Sequence, residues 1–191
     1  MKRRFALKLV AAAGLILTGC ASAPPPAPAF VEGKDTPFNQ RDYVLGPTDK
    51  LRVIVFGEPN LSNEFVISPA GILSMPLIGG VPADGVTVAA LEEAIAAKLR
   101  AGYLNDPRVS VEVLIYRPFY ILGEVGSPGE YPYSPGLTVG RAVATAKGYT
   151  YRANKNRVYI KRAGDAQEFS YPAETTTIRP GDVIRVPERL F

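Results

Sequence analysis

Three Pro-Gly pairs, Pro128-Gly129, Pro135-Gly136 and Pro180-Gly181, most narrowly limit how this chain can fold. Proline presets φ for the second position of a type II turn, and glycine accepts the positive φ demanded of the third. Each pair is therefore expected to reverse the chain sharply. Corners at that spacing cut the C-terminal half into short extended pieces: Phe119 to Leu122, Glu130 to Tyr133, an alternating run from Arg157 to Lys161, and a closing run from Val183 to Val186. A short helix fits between them from Thr138 to Ala146, with Thr138 as N-cap and Gly148 at its end.

The N-terminal half carries the best helix signal, Thr87 to Arg100. Thr87 suits the N-cap, Glu92 and Glu93 precede Lys98 and Arg100 as the helix dipole favours, and Val88, Leu91, Ile95 and Leu99 form one apolar stripe that Gly102 ends. Leu51 to Phe56 reads as a strand bounded by Pro47 and Gly57. Phe65 to Ile67 and Gly71 to Leu73 read as strands about a turn at Pro69-Ala70-Gly71. After Pro107 the period becomes two, placing Val109, Val111, Val113 and Ile115 on one face and Ser110, Glu112 and Tyr116 on the other. The expected class is α+β: a β-rich domain with one main helix over residues 41–117, then a β-grasp-like domain over 118–191. Gly85-Val86-Thr87-Val88 and Gly136-Leu137-Thr138-Val139 share their capping chemistry.

The first 19 residues have the form of a secretory signal peptide, with Lys2, Arg3 and Arg4 ahead of an apolar run from Leu9 to Leu17 too short to span a bilayer. Leu17-Thr18-Gly19-Cys20 resembles the bacterial lipoprotein box, which implies cleavage before Cys20 and lipidation of its thiol. By the same resemblance, Ala21 and Ser22 imply sorting to the outer membrane. Residues 20–40 then form a lipidated tether, proline- and alanine-rich at its start. The whole chain has a net charge of +4. Lys2, Arg3, Arg4 and Lys8 fall in the acid-free segment 1–19, so its removal leaves 18 basic against 18 acidic residues and no net charge. Nucleic acid is not an expected partner. The sequence contains no histidine and one cysteine, which excludes histidine-based triads and His-containing zinc sites. No enzymatic activity and no cofactor are expected.

Several stretches carry a family resemblance. Tyr43 to Val53, Pro76-Leu77-Ile78-Gly79, the Thr87 helix and Pro107 to Val111 resemble, in order, the polysaccharide export domain. Gly123-Glu124-Val125, Pro128 to Tyr131, the helix before Gly148 and Arg179 to Ile184 resemble the SLBB (soluble-ligand-binding β-grasp) module. The chain is thus similar to outer-membrane polysaccharide export lipoproteins of a short form. The resemblance implies a homo-oligomeric periplasmic ring, held to the outer membrane by its lipid anchor, that moves capsular polysaccharide or exopolysaccharide with an inner-membrane polysaccharide co-polymerase. Ala70-Gly71 replaces the family's Asp-Gly turn but keeps the glycine the turn needs. The sequence ends five residues after Val186, before any pore-lining amphipathic helix, so a separate outer-membrane pore protein is expected as a further partner.

Two groups could contact polymer or partner. Arg152, Lys155, Arg157, Lys161 and Arg162 make an acid-free basic stretch, and alternation puts Arg157, Tyr159 and Lys161 on one strand face, suited to an acidic glycan. The same face could simply be a solvated edge. Tyr116, Phe119, Tyr120, Tyr131 and Tyr133 cluster about the domain divide, where they could bind glycan or a neighbouring subunit, or pack the domains together. Glu58, Glu124 and Glu130 lack the supporting constellation of a glycosidase pair. The alternative to the exporter is a monomeric periplasmic glycan- or small-ligand-binding lipoprotein. Oligomeric state separates the two, because a conduit must enclose a lumen.

Overall fold

The computed structural model describes residues 32–33 and 39–189. The expected signal peptide, Cys20 and most of the expected tether lie outside the described residues.

Residues after the short 3-10 turn Gln40–Asp42 build two β-rich layers around one continuous hydrophobic core. In the first, β1 (Lys50–Val55) lies between β2 (Asn63–Val66) and β5 (Val109–Ile115), antiparallel to both. Leu51, Val53 and Val55 point inward while Arg52 and Ile54 face out, the period of two expected of a strand covered on one side. A separate hairpin pairs β3 (Ile72–Met75) with β4 (Gly79–Pro82). Helix α1 (Val88–Arg100) packs on β5 and β4 through Leu91, Ile95 and Leu99, all fully buried. Each such side chain contributes about 1.5–3 kcal/mol of burial. The Thr87 hydroxyl accepts from the Ala90 N–H at 3.3 Å, and Glu92 Oε1 accepts from the Val111 N–H at 2.7 Å, fixing helix to strand.

The second layer is a five-stranded sheet in the order β7-β6-β10-β8-β9. Its strands are β6 (Phe119–Gly123), β7 (Gly129–Tyr131), β8 (Arg157–Lys161), β9 (Phe169–Pro172) and β10 (Val183–Val186), with α2 (Val139–Thr145) between β7 and β8. β10 is parallel to β6 and antiparallel to β8. The fold is α+β: a β-rich domain bearing one main helix, then a β-grasp-like domain.

Four sequence expectations change. Gly136 (φ 76°) and Gly181 (φ 81°) make the expected corners, closed by Leu137 N–H to Ser134 O at 3.2 Å and Asp182 N–H to Arg179 O at 3.2 Å. Gly129 instead opens β7, because pairing with Ile121 draws it into the ladder. Phe65-Val66 and Ile72-Leu73 do not pair with each other; β2 joins β1 and β3 joins β4. On β5 the alternation fails at its end, where a register shift between Lys50 and Leu51 leaves Leu114 unmatched. That bulge turns Ile115 out to 56% exposure and Tyr116 into the core. Finally, β8 is an inner strand of its sheet, so the face of Arg157 and Lys161 is not an edge.

Candidate functional site

Two turns of the same construction meet at the join between the layers. In Gly46-Pro47-Thr48-Asp49 the Asp49 N–H donates to Gly46 O at 3.2 Å, Thr48 takes φ 72°, and Asp49 Oδ2 accepts back from the Gly46 N–H at 2.9 Å. In Arg179-Pro180-Gly181-Asp182 the Asp182 N–H donates to Arg179 O at 3.2 Å, and Asp182 Oδ2 accepts from the Arg179 N–H at 2.8 Å. Both aspartates are fully buried, and each turn feeds a central strand, β1 or β10. Sequence reading missed this pair although a signal was present. Pro47-Thr48-Asp49-Lys50-Leu51-Arg52-Val53 and Pro180-Gly181-Asp182-Val183-Ile184-Arg185-Val186 match at proline, aspartate, arginine and valine.

Arg117-Pro118, the crossing from β5 to β6, is clamped between the two turns. The Arg117 N–H donates to Asp49 Oδ1 at 2.7 Å, and the Gly181 N–H donates to Pro118 O at 3.1 Å. The Arg117 guanidinium donates from Nη2 to Val44 O at 3.0 Å. Glycine makes room for it on both sides: a Cβ on Gly46 would sit 1.8 Å from Arg117 Nη1, and one on Gly181 would sit 3.1 Å from Nε. A ladder of edge-to-face tyrosines continues the join, Tyr43 to Tyr116 at 5.0 Å and Tyr116 to Tyr133 at 5.5 Å. The Tyr43 hydroxyl donates to Asp49 Oδ2 at 2.6 Å, and burial with that carboxylate holds its phenol far above the ordinary range. Burial also pushes Tyr133 up to about 12.

Against this clamp lies a cavity of about 370 Å³, lined from the first layer by Tyr43, Val44 and Arg117 and from the second by Arg162, Arg179 and Asp182. Arg162 is itself buried. Its Nη1 donates to Asp182 Oδ2 at 2.5 Å and Thr177 O at 3.0 Å, and its guanidinium lies 5.0 Å from the Tyr171 ring centre. Burial pushes the Asp182 carboxyl up to about 6, against the opposing pull of Arg162. Three arginines thus line the cavity together with Asp182 and, at its exposed side, Asp42. Guanidinium groups are the side chains best suited to holding planar anions such as carboxylates. Among the described residues no cluster of acidic, cysteine or histidine side chains could hold a metal ion.

The sequence-selected residues are divided among different tasks. Arg157 and Lys161 stand exposed on β8, with a Glu32 carboxylate oxygen 4.0 Å from Arg157 Nη2. Tyr159 shares their face but is only 8% exposed, because the Arg185 guanidinium lies 4.2 Å from its ring centre and is itself paired with Glu168. The basic stretch is dispersed further: Arg152 pairs with Glu188, and Arg162 turns into the cavity wall. Tyr131 stacks on Phe119 at 5.9 Å and donates to Ser127 O at 2.7 Å, while Tyr133 is buried in the tyrosine ladder. Tyr120 stays partly exposed beside Val183 and Lys161 on the open sheet face. Glu124 accepts the Thr150 hydroxyl, tying the end of β6 to the loop after α2.

Comparison with known proteins matches both layers. Residues 38–114 match the family described as polysaccharide biosynthesis/export protein, and residues 117–186 match the SLBB domain. The exopolysaccharide production protein ExoF of Rhizobium meliloti (strain 1021) is 38% identical over 140 residues, covering 65% of this chain and 33% of that protein. The polysialic acid transport protein KpsD of Escherichia coli is 27% identical over 133 residues, covering 60% of this chain and 24% of that protein. The chain spans about a third of the first relative and about a quarter of the second. The two adjoining matches together take in most of the length, so the chain carries a polysaccharide export domain followed by an SLBB domain.

Proposed function

We propose that this protein is a periplasmic component of a machine that exports a capsular polysaccharide or exopolysaccharide, anchored to the outer membrane through lipid on Cys20. In this reading identical subunits assemble into a ring-like conduit that works with an inner-membrane polysaccharide co-polymerase. The observation that carries it is the pairing of an export domain with an SLBB domain that share one continuous core, so that the two would move as a single subunit wall. The names of the two relatives, one concerned with exopolysaccharide production and the other with polysialic acid transport, support the same substrate class. No helix among the described residues is long and apolar enough to cross a membrane, which accords with attachment by lipid. The open face bearing Arg157, Lys161 and Tyr120 offers cations and an aromatic edge to polymer or to a neighbouring subunit.

The experiment is the molar mass of the full chain extracted in detergent, with membrane fractionation of a Cys20→Ala variant alongside. The reading expects a closed oligomer, and loss of outer-membrane fractionation in the variant. A monomer that binds glycan would favour a binding lipoprotein instead, and unchanged fractionation would remove the anchor.

A further inference from the structure

The junction cavity carries an inference of its own. Its volume of about 370 Å³ falls within the range of small-ligand sites, roughly 300–1,000 Å³, and it lies where two domains meet, a preferred place for such sites. Its lining bears three arginines with Asp42 and Asp182, and the buried Asp49 carboxylate sits behind Tyr43, whose hydroxyl it binds. Asp182 is already engaged by Arg162 and by the Arg179 N–H, so it organises the wall more than it neutralises the space. Arg117 donates one Nη2 bond to Val44 O, and its buried Nε meets no acceptor among the described residues. The remaining walls are the Tyr43 ring, Val44 and Pro180, which suit the apolar face of a sugar ring.

We propose that this cavity is a binding site for an acidic sugar, whose carboxylate is held by the Arg117 and Arg179 guanidiniums while the ring rests between Tyr43 and Pro180. Planar guanidinium forks match a carboxylate in two parallel bonds, which a lysine-lined site would not do. The exported polymer as the source of that sugar rests on the export reading above; the site itself does not. Arg162 is a positioning residue, fixed by Asp182 and Thr177 O so that the wall keeps its shape.

The test is calorimetric titration of the full chain in detergent with sodium glucuronate, with glucose and inorganic phosphate as parallel arms. The expected result is binding of glucuronate, no binding of glucose, weaker binding of phosphate, and weakening as salt rises. Arg179→Gln should raise the glucuronate Kd by about tenfold or more, the loss of one charge-assisted pair, with its thermal unfolding measured to confirm a folded protein. Arg100→Gln, which removes an exposed cation at the C-terminal end of α1, should leave the Kd unchanged. Glucuronate binding no tighter than glucose, or an Arg179→Gln protein that binds like the native one, overturns the site. Phosphate binding as tightly as glucuronate overturns the sugar assignment, and an equal loss of binding in Arg100→Gln overturns the site, because general surface charge would then be holding the ligand. A protein that supports export yet binds no glucuronate sinks this inference alone; one that binds glucuronate but supports no export sinks the export reading alone.

Discussion

Replacing Asp49 with asparagine tests whether the junction is held as described. The carboxylate is fully buried and accepts three hydrogen bonds: from the Tyr43 hydroxyl at 2.6 Å, the Gly46 N–H at 2.9 Å and, across 68 residues of chain, the Arg117 N–H at 2.7 Å. Asparagine keeps one acceptor oxygen. Placed at the Oδ2 position, that oxygen retains Tyr43 and Gly46, and the amide NH2 then points at the Arg117 N–H, donor against donor. One bond to a charged acceptor is lost, worth about 1.5–3 kcal/mol, and the two survivors lose their charge assistance. A total near ~3 kcal/mol follows, a large part of the roughly 5–15 kcal/mol that holds a typical domain. Tyr43→Phe removes one of the three donors and should cost about 1.5–3 kcal/mol. Because Tyr43→Phe removes the Tyr43–Asp49 bond and Asp49→Asn strips the same bond of its charge assistance, the two changes share part of their cost, and the double variant should be more stable than the sum of the singles implies, by about 0.5–1 kcal/mol. Urea unfolding followed by tyrosine fluorescence reads all four states, since the chain has 10 tyrosines and no tryptophan. An Asp49→Asn protein within about 0.5 kcal/mol of the native one would mean that the Asp49 carboxylate does not hold the junction.

Gly46→Ala puts a Cβ 1.8 Å from Arg117 Nη1, so the guanidinium must leave its seat at a cost of about 1–3 kcal/mol, read as a lower urea midpoint. Thr48 holds φ 72°, a strained setting for a β-branched residue, and Thr48→Gly should gain up to about 1 kcal/mol in the same assay. For Asp182 the folded carboxyl, up at about 6 from an ordinary 3.8, binds its proton more tightly than the unfolded one does. Its contribution to stability is therefore greatest below about pH 4 and is lost as pH rises through about 6, a change of about 3 kcal/mol that Asp182→Asn should abolish. A slope of the opposite sign would mean that the Arg162 pair outweighs burial.

Local chemistry made much of the fold readable in advance. Thr87, the stripe Leu91-Ile95-Leu99 and Gly102 define α1, and Pro135-Gly136 and Pro180-Gly181 make the corners they imply. What was not readable depends on partners distant in sequence. Gly79-Gly80-Val81-Pro82 has loop composition and becomes β4 only by pairing with β3, just as Gly129 becomes a strand residue by pairing with β6. The bulge on β5 that turns Tyr116 inward follows from the register with β1, which no period within β5 records. The candidate site was hidden for the same reason. Arg162 read as one cation in a basic run and Arg179 as the start of an SLBB-like stretch, Arg117 carried no signal, and only the meeting of the two aspartate turns gathers them around one cavity. Tyr159 misled because alternation fixes the face of a side chain but not what covers it, here Arg185.

The most direct test of the account is the amount of polysaccharide outside cells that carry this protein, compared with cells lacking it and with cells in which it is restored. Extracellular polymer is expected to fall to background without the protein and to return when the full chain is supplied. Unchanged extracellular polymer in its absence would contradict it.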